Sequence, residues 1–335
     1  MSSIPTSSQD SKTRTADTPL LGGVFPGQGA QSIGMLNALA QAYPMVRETF
    51  GEASDSLSFD LWSLVTDGPE SELNRTQNTQ PVMLAAGVSV WRVWQAVGGK
   101  APVIMAGHSF GEYTALVCAG VLDFRAAVTL VRERGLLMQA AVKDRDGAMA
   151  AVLGLEDAQV ADICAQAAKD LIVAPVNFNA PGQVVIAGDS AAVLRAMSLA
   201  TEAGAKRVLR LAVSVPAHCT LMMPAAEALA PRLAEVPLRT PGIPVLHNVD
   251  VLHHEDADTI RVVLARQLYS PVRWAETIKS FAALGVNCVL EFGPGKVLTG
   301  LNKRIDKSLR CACIYDPQSL ERALELTING TACAS

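Results

Sequence analysis

The stretch VIMAGHSFGEYTALVCAGVL, residues 103–122, decides the fold. A short apolar run ends at Gly107, a serine follows between two glycines, and a helical run begins at once. A strand that feeds a helix through so tight a turn is the unit of a largely parallel α/β sheet. The turn itself, Gly107-His108-Ser109-Phe110-Gly111, has the G-x-S-x-G spacing of a nucleophile elbow. In such an elbow the glycines tolerate a sharp bend and the serine hydroxyl is lifted above the start of a helix. The competing reading is an ordinary strand-to-helix turn, so the rest of the chain has to supply a base and oxyanion donors.

Upstream, LLGGVF (20–25) reads as a strand that enters the Gly-rich turn PGQGAQSIGM. A helix is expected over LNALAQAYPMVRETFGEAS (36–54). A second is expected over 80–98, with Pro81 at its first position and Val82, Ala85, Ala86, Ser89, Val90, Val93 and Trp94 on its packed face.

Between 147 and 213 the rhythm changes. GAMAAVLGL is a strand, EDAQVADICAQAAK a helix, LIVAPVNFN and GQVVIAGD two strands about the turn APG, SAAVLRAMSLATEAG a helix and AKRVLRLAV a strand. That β-α-β-β-α-β order is the order of a ferredoxin-like unit. The α/β pattern resumes with the strands IPVLHNVD and NCVLEFGPG, the helices DTIRVVLARQLYSP and RWAETIKSFAALG, and a last helix opening SLERALELTINGTACAS. The expected architecture is a large α/β-hydrolase-like domain with a mainly parallel sheet (20–146 and 214–320), interrupted by the small unit at 147–213. Residues 1–19 read as a disordered leader, and 321–335 as a C-terminal helix and tail.

The bulk numbers fit this plan. The 335 residues are 50% apolar and 18% charged, with a net charge of −4. An acidic balance gives no general attraction for nucleic acid or an anionic membrane surface, and no apolar run reaches the roughly 20 residues of a membrane helix. The leader is rich in Ser and Thr and lacks the apolar core of a secretory signal. The seven cysteines form no C-x-x-C pair, which argues against a zinc ribbon and for reduced thiols in a cytoplasm.

Of five histidines, His108 adjoins the serine but an elbow turns it away, and His253 and His254 lie in the polar LHHEDAD. His247, at the end of a strand, and His218, in VSVPAHCTLMMPA, remain as bases; the position of His218 at the opening of a helical run favours it. FGPGKVLTG fails the P-loop spacing because Lys296 is followed by Val, and it reads as a strand-end turn.

The blocks FPGQGAQSIGM, GHSFGEYTALV, LVRERGLLMQ, GAMAAVLGL, VNFNAPGQVVIAG, SVPAHCTLM, HNVDV, RQLYSPVRWAETI and FGPGKVLTGL occur in this order between about residues 20 and 310. Together they resemble the malonyl-CoA:acyl carrier protein transacylases, acyltransferases of fatty-acid and polyketide synthesis. The resemblance implies Ser109 as nucleophile and His218 as its base, the base being oriented by the backbone carbonyl of Gln267 in place of a carboxylate. It implies an oxyanion hole made of the N–H groups of Phe110 and Gln28, and Arg134 as the grip on the malonyl carboxylate. The chemistry of Arg134 fits, because a planar guanidinium gives a carboxylate a bidentate hold.

Arg132 reads as a surface charge. Phe110 and Ala217 depart from the commoner family residues and border the expected acyl pocket. No metal or cofactor is implied. The implied partners are malonyl-CoA and an acidic carrier protein, met by a basic rim at 302–310 or 205–210, with the chain acting as a monomer. Two other readings keep their place. A serine hydrolase would draw its acid from Asp123, Asp157 or Asp189, and a non-catalytic module would only dock the carrier.

Overall fold

The computed structural model describes residues 19–213 and 215–329, so the leader apart from Pro19, Cys333 and the tail beyond 329 lie outside the described residues. Nine strands follow one another among them: β1 (Leu21–Phe25), β2 (Ile104–Gly107), β3 (Gly147–Leu153), β4 (Val173–Ala180), β5 (Gln183–Asp189), β6 (Arg207–Arg210), β7 (Val245–Leu246), β8 (Cys288–Phe292) and β9 (Arg310–Ile314). They form two sheets. The first has the order β7-β2-β1-β8-β9, with every pairing parallel. The second, β4-β5-β3-β6, is antiparallel.

In the first sheet β1, β2 and β8 are buried along their whole length, as expected of parallel strands covered on both faces. From β1 the chain adds β2 and then β7 on one side and returns with β8 and β9 on the other. Loops leaving the carboxyl ends of these strands gather along one edge, and ligands in open α/β sheets bind at the edge where strand order reverses. The loops after β1, β2, β7 and β8 carry Gln28, Ser109, Asn248 and Gly293.

The second sheet has its own core: one hydrophobic cluster has all its buried members between Ala148 and Ala200. It is also stitched to the rest of the chain. The Phe178 N–H donates to the Val272 carbonyl (2.9 Å) and the Val272 N–H to the Val176 carbonyl (2.8 Å). Ala180 packs in one cluster with Leu246, Val272, Trp274 and Ile278.

Several expectations need correction. The helix expected over 36–54 is two helices, Asn37–Ala42 and Met45–Leu57. Pro44 pushes the residue before it out of the helical region, and Tyr43 is extended at φ −133°. The helix expected from Gln80 starts at Thr76, so Pro81 lies inside it and not at its first position. The IPVLHNVD strand shrinks to two residues. Strand β9 and the helices Leu61–Thr66, Glu70–Leu73 and Val297–Ile305 were not anticipated. These elements are short, and β9 is a half-buried edge strand without clean alternation. The last helix, Pro317–Asn329, runs across the expected boundary at 320.

Candidate active site

Ser109 sits at φ +54°, a region costly for a residue with a Cβ. The surroundings enforce it. A Cβ on Gly107 would lie 1.9 Å from the Gly111 carbonyl carbon, and one on Gly111 would lie 2.4 Å from the Phe25 carbonyl oxygen. The helix Gly111–Cys118 therefore starts directly beneath the serine, its positive end facing the hydroxyl. Asn248, from the loop after β7, brackets the turn. Its Oδ1 accepts from the Ser109 N–H (2.7 Å) and its Nδ2 donates to the Gly107 carbonyl (2.6 Å).

The Ser109 Oγ lies 2.7 Å from His218 Nε2, and His218 Nδ1 lies 2.8 Å from the Gln267 carbonyl oxygen. A carbonyl only accepts, so Nδ1 carries the proton and Nε2 turns a lone pair to the serine. His218 is itself strained, at φ +67°, and its N–H donates to the Leu268 carbonyl (2.9 Å). Burial, then the positive charge of Arg134, pushes its pKa down to about 3. The imidazole is thus held in its neutral form, with the Nε2 lone pair directed at the serine.

The other histidines have different duties. His108 Nε2 meets Asn179 Oδ1 of β4 at 2.7 Å, and burial pushes its pKa down. His247 Nδ1 meets Glu112 Oε1 at 2.7 Å, and His254 pairs with Asp250.

Arg134 is fully buried in the middle of the helix Phe124–Ala141. Its Nη2 donates to Gln267 Oε1 (3.0 Å), its Nη1 approaches Met138 Sδ (3.2 Å), and its Nε has no partner. The guanidinium carbon lies 5.5 Å from the centre of the Tyr113 ring. Among the described residues no carboxylate forms an ion pair with it. A buried cation held only by neutral groups, with one N–H unpartnered, retains capacity to bind an anion.

Gln28 and Phe110 present the remaining pieces. The loop after β1 is pressed onto the elbow, since a Cβ on Gly27 would lie 2.7 Å from the His108 carbonyl oxygen, and the His108 N–H donates to the Phe25 carbonyl (3.0 Å). Neither the Gln28 nor the Phe110 N–H is taken up by an acceptor among the described residues. The Phe110 side chain is 1% exposed and lies in the main core.

The sequence reading missed Glu112, Asn248 and Asn179. Each stands inside a quoted block, yet only its partners across the fold reveal what it does. Arg132 is not a surface charge: it is half-buried, 4.6 Å from the centre of the Phe59 ring, and lines a cavity of about 510 Å³ away from Ser109.

The three acids available to a hydrolase triad are engaged elsewhere or apart from the base. Asp123 caps the helix Phe124–Ala141, Asp157 lies in the first turn of the helix Asp157–Ala168, and Asp189 accepts from the Ile172 N–H and pairs with Arg145. Among the described residues no group of three or more His, Cys, Asp and Glu could hold a metal ion.

The profile described as the acyl transferase domain matches residues 24–312. A malonyl CoA-acyl carrier protein transacylase of Escherichia coli (strain K12) is 55% identical over 303 residues, covering 90% of this chain and 98% of that protein. One from Bacillus subtilis (strain 168) is 41% identical over 303 residues, 90% of this chain and 95% of that protein. Among solved structures, a malonyl-transacylase in complex with its type II PKS acyl-carrier protein superposes with a TM-score of 0.90 at 56% identity, covering 91% of this chain and 99% of that one. An acyl carrier protein S-malonyltransferase from Vibrio cholerae O1 biovar eltor gives 0.88 at 56% identity, over 90% and 99%. With an elbow serine, a carbonyl-oriented histidine and a buried arginine in these positions, the chain belongs to the malonyl CoA-acyl carrier protein transacylases of the acyl transferase domain family.

Proposed function

We propose that this chain moves a malonyl group from malonyl-CoA to the phosphopantetheine thiol of an acyl carrier protein through a malonyl-Ser109 ester. The supply of extender units for fatty-acid synthesis, or for a related polyketide route, follows from that transfer. The observation that carries the reading is Arg134, fully buried, without a carboxylate partner among the described residues, and close enough to His218 to depress its pKa.

The steps balance with no further reactant. His218 Nε2 takes the Ser109 proton as Oγ attacks the thioester carbonyl, and the negative charge on the carbonyl oxygen is met by the N–H groups of Phe110 and Gln28. Donors of this kind contribute about 2.7–4 kcal/mol each. The C–S bond breaks, CoA leaves as the thiol with the proton from His218, and the ester stays with its free carboxylate on Arg134. The carrier thiol then gives its proton to His218 and attacks the ester; the ester C–O bond breaks and His218 hands the proton to Oγ, which returns the serine. The Gln267 carbonyl stabilises the imidazolium that forms twice in the cycle.

Lys206, with Arg207 and Arg210 on the exposed edge strand β6 that follows it, and Lys303 and Arg304 at the end of the helix Val297–Ile305 support a basic rim for an acidic carrier. Six free cysteines among the described residues support a reducing, cytoplasmic setting, and no helix among them is long and apolar enough to cross a membrane. The strand order β4-β5-β3-β6 and the separate cluster beneath it support a ferredoxin-like insert over 147–213 in a discontinuous α/β-hydrolase-like domain (20–146 and 214–320). We read the chain as a monomer that needs no cofactor.

Intact-mass analysis after incubation with malonyl-CoA tests the function. A malonyl adduct that Ser109→Ala abolishes, and that passes to added carrier protein, is expected. Rapid release of free malonate, unaffected by the carrier, would favour a hydrolase.

A further inference from the structure

Gln267 enters the mechanism through its backbone carbonyl, yet its side chain makes three hydrogen bonds within the site. It is fully buried. Nε2 donates to the Ser109 carbonyl (3.0 Å) and to Glu112 Oε2 (2.9 Å), while Oε1 accepts from Arg134 Nη2 (3.0 Å). The orientation of the amide is fixed by its neighbours. At one end stand a carbonyl and a carboxylate, which only accept, and at the other a guanidinium, which only donates. Reversing the amide would set donor against donor at Arg134 and acceptor against acceptor at Ser109 and Glu112.

Glu112 is held in turn. Its carboxylate is fully buried and accepts from His247 Nδ1 (2.7 Å), the Asn248 N–H (2.9 Å) and Gln267 Nε2. The buried Glu112 carboxyl and the buried Arg134 guanidinium thus face each other across a neutral amide, and do not pair directly. A direct pair would saturate the guanidinium and leave it little attraction for an incoming carboxylate. The amide holds Arg134 in place while its charge stays uncommitted.

We propose that the Gln267 side chain is a positioning residue for acyl selectivity, an insulating bridge that holds Arg134 beside Ser109 and keeps it from being neutralised by protein carboxylates. This rests on the assignment of Arg134 to the malonyl carboxylate. It separates two functions of one residue: the backbone oxygen orients the base for any acyl group, whereas the side chain acts only on those that carry an anion.

The test compares kcat/KM for malonyl-CoA and acetyl-CoA in the wild type and in Gln267→Glu. The variant keeps the shape and the backbone carbonyl but gives Arg134 a permanent carboxylate. The malonyl-to-acetyl ratio should fall on the order of tenfold or more, the weight of a hydrogen bond to a charged group.

Gln267→Met, neutral and of similar length, covers the case in which two neighbouring carboxylates prevent folding. It should lower the ratio several-fold by freeing Arg134. Equal losses for both acyl groups in the folded variant, or an unchanged ratio, would overturn the inference and leave Gln267 with a structural role. A wild-type enzyme with no preference for malonyl would instead overturn the assignment of Arg134 itself.

Discussion

At the scale of the residue, burial decides how His218 titrates. The unfolded chain takes up a proton on this side chain near its ordinary pKa of 6.5, whereas the native chain refuses it down to about 3. The unfolded state binds more protons across that window, so stability rises with pH between about 3 and 6.5. The wild type should lose stability progressively as pH falls through this range, and thermal melts of His218→Asn should show a shallower pH dependence. A wild-type melting curve flat from pH 6.5 to 4 would contradict this.

The second cause of the shift is the charge of Arg134, so Arg134→Ala should raise the His218 pKa, as NMR titration of the ring would read. The same variant should damage malonyl turnover far more than acetyl turnover, by a factor on the order of a hundred or more. On the proposed role of Arg134, the variant would break a buried charge pair with the malonyl carboxylate, at about 3–5 kcal/mol. Similar losses for both substrates would remove Arg134 from the carboxylate's binding site.

At the scale of the element, the elbow works because two backbones touch. Strand β2 and the helix Gly111–Cys118 approach so closely at Gly107 that a methyl group would overlap backbone atoms, not a side chain that could swing aside. Gly107→Ala should therefore cost about 4 kcal/mol or more, the range that marks disruption of a specific strained feature. Thermal unfolding would measure it, with loss of the Ser109 adduct as a second sign. A variant that melts within a degree of the wild type would show that the turn has slack. The same logic joins two long helices: a Cβ on Gly135 would lie 2.7 Å from Gln77 Cα, so the helix bearing Arg134 is seated against Thr76–Ala96.

This scale also marks how far the sequence could be read. The tight turn at Ser109 and most strands of both sheets were legible because apolar periodicity and glycine spacing are local signals. Pro81 was misplaced by one and a half turns because a proline is also accommodated inside a helix whose tertiary packing outweighs one lost bond. Strand β9 was missed because an edge strand half covered by the helix Pro317–Asn329 has no strict alternation.

Across the whole molecule, the site lies where the two sheets meet. His108, the neighbour of Ser109 in the turn after β2, binds Asn179 on the second sheet, and Val272 pairs with β4 beside it. Asn179→Ala would leave His108 Nε2 unpaired in a buried setting, at a cost of about 1–3 kcal/mol. Thermal or denaturant unfolding should register that loss, and an unchanged stability would mean that the junction does not depend on this bond.

What the sequence determined by itself was the tight turn at Ser109 and the alternation that makes a parallel sheet; the roles proposed for His218, Arg134 and the Phe110 and Gln28 amides came through resemblance. What only the tertiary structure decided was how these groups are held. Gln267 reaches Ser109 and Glu112 across 158 and 155 residues, and Asn248 reaches Ser109 across 139. Such contacts exist only because the fold brings the carboxyl ends of β2 and β7 and the end of the helix Ala257–Gln267 to one place, a fact that no local pattern of side chains encodes.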